Sequence, residues 1–120
     1  MSTDRALKKR AQYNAVYESG TTNIDRYLVI RTLANDLQHP RFGYSVNKKL
    51  GKAVVRNRVR RLLKEIARSL PVKAGLDIVF IARSNSSGAS YGELEHSVKR
   101  LLKNVNAIKR DDEKTCARVN

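Results

Sequence analysis

The chain has 120 residues and 25 Lys and Arg against 11 Asp and Glu, a formal charge of +14, so one domain's worth of polypeptide carries a field that gathers phosphate polymers and repels itself. No run approaches the roughly 20 apolar residues of a membrane-spanning helix. A lone cysteine, Cys116, excludes an internal disulfide, and with two separated histidines, His39 and His96, it excludes a soft-ligand metal cluster.

Residues 1–10 carry Arg5, Lys8, Lys9 and Arg10 with little apolar content and lack the apolar stretch of a secretory signal. They are expected to form a flexible basic arm, and the chain is expected in the cytoplasm. Tyr13, Val16 and Tyr17 recur at i, i+3 and i+4 before Gly20, which predicts a helix over 11–19 closed by a left-handed glycine. The two tyrosines suit either core packing with hydroxyls at the rim or stacking on unpaired bases.

After a polar turn at 21–25, residues 27–33 are β-branched and aromatic enough for a strand, with Tyr27 or Arg31 outward. Breakers including Pro40 fill 35–41, and 42–46 reads as a second strand, the hairpin partner of the first. Residues 48–70 read as a basic amphipathic helix. Val55, Val59, Leu62, Leu63, Ile66 and Leu70 make one apolar stripe, while Arg56, Arg60, Lys64 and Arg68 repeat on the opposite arc with a single acid, Glu65, in the segment. A solvated face mixes signs, whereas this one sets like charges four apart three times over, so an anionic partner is implied.

Pro71 ends that helix. Residues 76–82 look like a strand buried on both faces, and 84–89 like a loop. Ser90 and Glu93 have capping-box spacing ahead of a helix over 91–108, and 109–120 form a charged tail. The whole is an α/β sandwich with one mixed sheet, a single domain over 11–108. The strands flanking the basic helix are expected to lie parallel and adjacent, joined by a crossover that is right-handed by default.

The chain offers no persuasive active site. Asp77 has no identifiable partner, Ser84, Ser86, Ser87 and Ser90 lack a nucleophile-elbow pattern, and Gly51-Lys52 lacks the upstream glycine of a phosphate loop. Nucleic acid is the better reading, since arginine forks suit phosphate oxygens and tyrosines stack bases. RNA is favoured over duplex DNA, because the helix owes its apolar stripe to its own sheet.

Residues 41–68, RFGYSVNKKLGKAVVRNRVRRLLKEIAR, resemble the signature block of the bacterial ribonuclease P protein subunit. LKKRAQYNAVYESG resembles that family's opening helix, RYLVI a strand, GLDIVFIAR the last strand and SYGELEHSVKRLLKN the closing helix. The resemblance implies an α+β fold of order αβββαβα, with an added short strand near 21–24, a mixed four-stranded sheet and a rare left-handed βαβ crossover, akin to a ribosomal-protein domain.

It also implies a protein that binds the catalytic ribonuclease P RNA and precursor tRNA and promotes removal of the 5′ leader. Magnesium for the hydrolysis is held on the RNA, with no catalytic residue and no metal on the protein, which acts as a monomer, one per RNA. Lys48, Lys49, Lys52, Arg56, Asn57, Arg58, Arg60, Arg61 and Lys64 would face the RNA subunit. Lys8, Lys9, Arg10, Tyr13, Tyr17 and Arg31 would line a cleft for the single-stranded leader. Asn47 replaces the usual Ser, Tyr13 and Tyr17 replace Phe, and Arg31 replaces an aromatic, suggesting a phosphate contact there. The competing expectations are a structural RNA-packing protein such as a ribosomal component and, less favoured, a helix peripheral to membranes.

Overall fold

The computed structural model describes residues 6–109, so the first half of the expected arm and nearly all of the expected tail, with Cys116, lie outside the described residues. The elements are α1 (Arg10–Ser19), β1 (Thr21–Ile24), β2 (Leu28–Ala34), β3 (Arg41–Ser45), α2 (Ala53–Ser69), β4 (Leu76–Ala82) and α3 (Tyr91–Asn104), with 3-10 turns at Lys48–Leu50 and Ser84–Gly88. The added strand β1 falls at the place the family resemblance implies. The sheet order is β1-β2-β4-β3, with β1–β2 and β2–β4 antiparallel and β3–β4 parallel.

That order corrects the hairpin expected of residues 27–33 and 42–46, because β4 lies between β2 and β3. Side chains of Asp77, Ile78, Val79 and Phe80 are all buried, and a strand of that kind belongs in the sheet's centre with both ladders filled, not at an edge. The connection over the end of β4 is held by Asp77 itself. Its carboxylate accepts from Arg41 Nε and Nη2, both at 2.8 Å, and from Asn35 Nδ2 at 2.7 Å. Asp77 therefore has partners that its flat sequence context did not disclose.

The crossover from β3 through α2 to β4 is left-handed, against the general preference. The Arg83 amide donates to the Tyr27 carbonyl at 2.9 Å, so odd-numbered β4 residues turn their backbone groups towards β2. Ile78 and Phe80 turn theirs towards β3 and their side chains towards α2. Seen from α2 with β4 running upward, L-chirality then sets β3 to the right of β4, and passage from β3 to β4 in front of the sheet moves leftward.

The main core joins Leu28, Ile30, Ile78 and Phe80 of the sheet to Val59, Leu63 and Ile66 of α2 and Leu94, Val98, Leu101 and Leu102 of α3. On the opposite face α1 is the one described helix, packing Val16 and the preceding Leu7 on Val79, with Tyr13, Leu33 and Ile81 beside them. This covers only part of that face.

Three boundaries differ from expectation. Gly20 ends α1 in extended backbone (φ −79°) rather than left-handed; glycine is needed there because a Cβ would stand 2.3 Å from the Val16 carbonyl oxygen. The basic helix starts only at Ala53. Before it, the Asn47 side chain accepts from the Lys49 amide at 2.9 Å, buried Leu50 anchors the turn, and Gly51 turns the chain at φ +138°. The last helix stops at Asn104 because Asn106 adopts φ 58° and the amides of Asn106 and Ala107 return to the carbonyls of Lys103 and Leu102, a Schellman closure. Ala107 and Ile108 reach the core after it, Ile108 by a bridge to Val72.

Asp25, buried before β2, accepts from Arg100 Nη2 at 2.6 Å and Nε at 3.1 Å and from the Arg26 amide. Burial pushes its carboxyl upward, but the bonds from Arg100 and its other donors outweigh burial and hold it below the usual carboxylate range. A depressed folded value means the contribution is complete above the unfolded value near 3.8 and fades as pH falls through the folded one. Asp25→Asn should therefore be less stable than wild type at neutral pH, the gap closing below about pH 4. Chemical denaturation at several pH values reads this, and a pH-independent gap would exclude the ion pair as its source.

Candidate nucleic-acid interface

The amphipathic reading of α2 sets the first surface. Val59, Leu63, Ile66 and Ala67 are buried against the sheet, so the arc carrying Arg60, Arg61 and Lys64 points outward. Arg56 Nε donates to the Gly51 carbonyl at 3.2 Å, Arg60 Nη1 to Asn57 Oδ1 at 2.9 Å and Arg58 Nη2 to the Ala89 carbonyl at 2.8 Å. Arg58 thus pins the turn at Ser84–Gly88 as well as adding charge. Lys48, Lys49 and Lys52 are exposed on the turn before α2 rather than on the helix. Among the described residues the ion pairs are Arg41–Asp77, Lys99–Glu95 and Arg100–Asp25, so no described carboxylate neutralises this ridge.

The second surface lies on the sheet's other face. Lys8, Arg10, Tyr13, Asn14 and Tyr17 from the α1 segment converge with Tyr44 and Ser45 of β3 around a shallow groove of about 380 Å³. Tyr13 reaches across to β3, where its hydroxyl accepts from the Tyr44 amide at 3.3 Å. Its ring lies on Gly43, where a Cβ would stand 2.7 Å from the ring. Tyr17 is 37% exposed, with its ring 6.3 Å from that of Tyr13 and tilted by 44°. Two rings at the rim of a groove flanked by cations match what stacks unpaired bases.

Lys9 and Arg31 stand apart from this lining. Lys9 begins α1, where the Gln12 side chain accepts from its amide at 3.1 Å. Arg31 turns its guanidinium to the end of α1, donating to the carbonyls of Val16, Tyr17 and Gly20. The Val16 carbonyl also accepts from the Gly20 amide at 2.8 Å, and a cation at a helix C-terminus is favourable. Arg31 is therefore occupied as a cap rather than presented to the groove. Asn14, not named among the expected cleft residues, could have been placed here by its i, i+4 spacing with Arg10, whereas Tyr44 and Ser45 join only because β3 is an edge strand.

Gly43→Ala should lower stability by about 1–3 kcal/mol, the range for overpacking a filled site. Thermal unfolding reads it; an unchanged midpoint would mean that Tyr13 leaves β3 without cost. Among the described residues no three of His, Cys, Asp and Glu gather as a metal site, and no helix is long and apolar enough to cross a membrane.

The sequence model of the family described as Ribonuclease P matches residues 1–106. The ribonuclease P protein component of Clostridioides difficile is 45% identical over 102 residues, 82% of this chain and 90% of that one. That of Dehalococcoides mccartyi is 41% identical over 115 residues, 96% of each. The solved RNase P protein of Staphylococcus aureus superposes with TM-score 0.81 at 30% identity, covering 89% of this chain and all of that one. The Thermotoga maritima protein superposes with TM-score 0.77 at 28% identity, covering 82% and 96%.

Proposed function

The chain belongs to the ribonuclease P protein family, components of the endoribonuclease that matures tRNA 5′ ends, and from that premise we propose how its two surfaces divide the work. The α2 ridge and the lysines before it grip the ribonuclease P RNA, and the α1 groove holds the single-stranded 5′ leader of precursor tRNA. The observation that carries this reading is their separation: unneutralised cations on the α2 side of the sheet, and stacked-out tyrosines with Lys8 and Arg10 on the α1 side.

Ridge arginines offer phosphate oxygens fixed forks, which favours folded RNA with its closely spaced phosphates. Tyr13 and Tyr17 offer ring faces, which only an unpaired strand can use. A protein built this way binds leader and RNA subunit together, so the substrate is held without depending on metal-screened RNA contacts alone. The magnesium requirement for leader removal falls accordingly. The buried carboxylates Asp25 and Asp77 are committed to Arg100 and Arg41, and in this reading the hydrolytic magnesium is held by the RNA. The working unit is one protein on one RNA in the cytoplasm.

The test is to add the purified protein to ribonuclease P RNA at low magnesium and follow cleavage of a precursor tRNA. The expected result is leader removal that the RNA alone does not achieve under those conditions. Cleavage indifferent to the protein across the magnesium range would reduce the chain to an RNA-packing role.

A further inference from the structure

A second concavity opens on the α2 side of the sheet, at the outer edge of β3, where the Leu7 amide donates to the Phe42 carbonyl at 2.8 Å. It has a volume of about 350 Å³, and its lining includes Phe42 and Tyr44 of β3, Lys64 and Arg68 of α2, and Pro40. The Tyr44 ring stacks on Phe80 at 5.7 Å, and Lys64 Nζ stands 5.9 Å from its centroid. Burial pushes the Tyr44 phenol above its ordinary value despite the opposing charge of Arg68, so the hydroxyl is a protonated donor. No described residue takes a hydrogen bond from it, and neither Lys64 nor Arg68 pairs with a carboxylate among the described residues. An aromatic wall, an available hydroxyl and two unneutralised cations form a site for a flat heteroaromatic ring that carries a phosphate.

Tyr44 also lines the leader groove on the other face. Because β3 is the last strand of the sheet, the two concavities are separated by its backbone and the groups on its outer edge, Leu7 paired at Phe42 and the Tyr13 hydroxyl on the Tyr44 amide. We propose that the pocket receives one unpaired nucleotide of the strand lying in the groove, which crosses the β3 edge at Tyr44, its base against Tyr44 and Phe42 and its phosphate at Arg68. This rests on the groove being a single-strand site. The pocket then extends the protein's hold on the leader beyond the α1 groove, with a preference for a stretch free of secondary structure.

The full-length protein is titrated into fluorescently labelled single-stranded RNAs, one too short to leave the groove (about three nucleotides) and one long enough to pass the edge (about eight). Arg68→Gln should weaken the longer RNA by about fivefold or more, as for losing one charge-assisted contact, and leave the shorter one unchanged; Tyr44→Leu, which also borders the groove, should weaken the longer RNA more than the shorter. Lys103→Gln, an exposed charge on α3, controls for non-specific attraction and should change neither measurably. If Tyr17→Ala weakens both lengths while Arg68→Gln and Tyr44→Leu weaken neither, the pocket is overturned and the groove stands. If wild type binds no RNA of either length, both fall together. If the two variants weaken the ribonuclease P RNA and spare the oligonucleotides, the nucleotide comes from the RNA subunit and the edge-crossing path is wrong.

Discussion

Replacing Arg60, Arg61 and Lys64 together by alanine should lower affinity for the ribonuclease P RNA by about 3–4.5 kcal/mol, from three charge-assisted contacts at roughly 1–1.5 each. At about 1.4 kcal/mol per decade this is a loss of some two to three orders of magnitude. The slope of log affinity against log salt should become shallower by about 2–3, since each lost phosphate contact removes a little under one released counterion. Stability should move the other way. Arg60 and Lys64 are like charges four apart on an exposed helix face, and alanine relieves their repulsion while favouring the helix. A variant that binds poorly because it has unfolded would show the opposite, so denaturation and filter binding on the same sample separate the two. Unchanged affinity and slope would remove the ridge from the interface. Arg58 is a poorer choice for this test, because its bond to the Ala89 carbonyl mixes a structural loss with a binding one.

The second large effect concerns the groove. Tyr17→Ala in the assembled ribonucleoprotein should weaken precursor tRNA by about 1–3 kcal/mol, the usual cost of one lost stack, and leave mature tRNA nearly unaffected. Tyr17 is 37% exposed, so its removal costs the core little. Tyr13→Ala makes a less clean test, since Tyr13 bonds the Tyr44 amide and fills the space over Gly43. Equal losses for precursor and mature tRNA would take the leader out of the groove.

How much of this could be read beforehand depended on how local the determinants were. The α2 stripe was legible because 3.6-residue periodicity with a one-signed opposite arc leaves one way to dock, and Val59, Leu63 and Ile66 are buried as that stripe requires. The capping box at Ser90 was legible for the same reason, with the Glu93 amide donating to Ser90 Oγ at 3.1 Å and the Ser90 amide to Glu93 Oε1 at 2.9 Å. Strand order was not, because nearness in sequence made β2 and β3 look like a hairpin, while the apolarity of β4 and the reach of Asp77 to Arg41 and Asn35 decided otherwise. The hand of the crossover came from family resemblance, since the general rule gives the wrong one. Arg31 illustrates a further limit: a cation near a groove in sequence can be spent on helix carbonyls that only the tertiary fold brings within reach. Tyr44 was placed on a strand, but its position between two concavities depended on β3 lying at the edge.

The division of labour between the two faces is tested most directly by photocrosslinking in the assembled complex with precursor tRNA, from a photoreactive residue placed at Asn14 in the groove or at Arg61 on the ridge. The account predicts crosslinks from position 14 to the 5′ leader and from position 61 to the ribonuclease P RNA. Leader crosslinks from position 61, or RNA-subunit crosslinks alone from position 14, would contradict it.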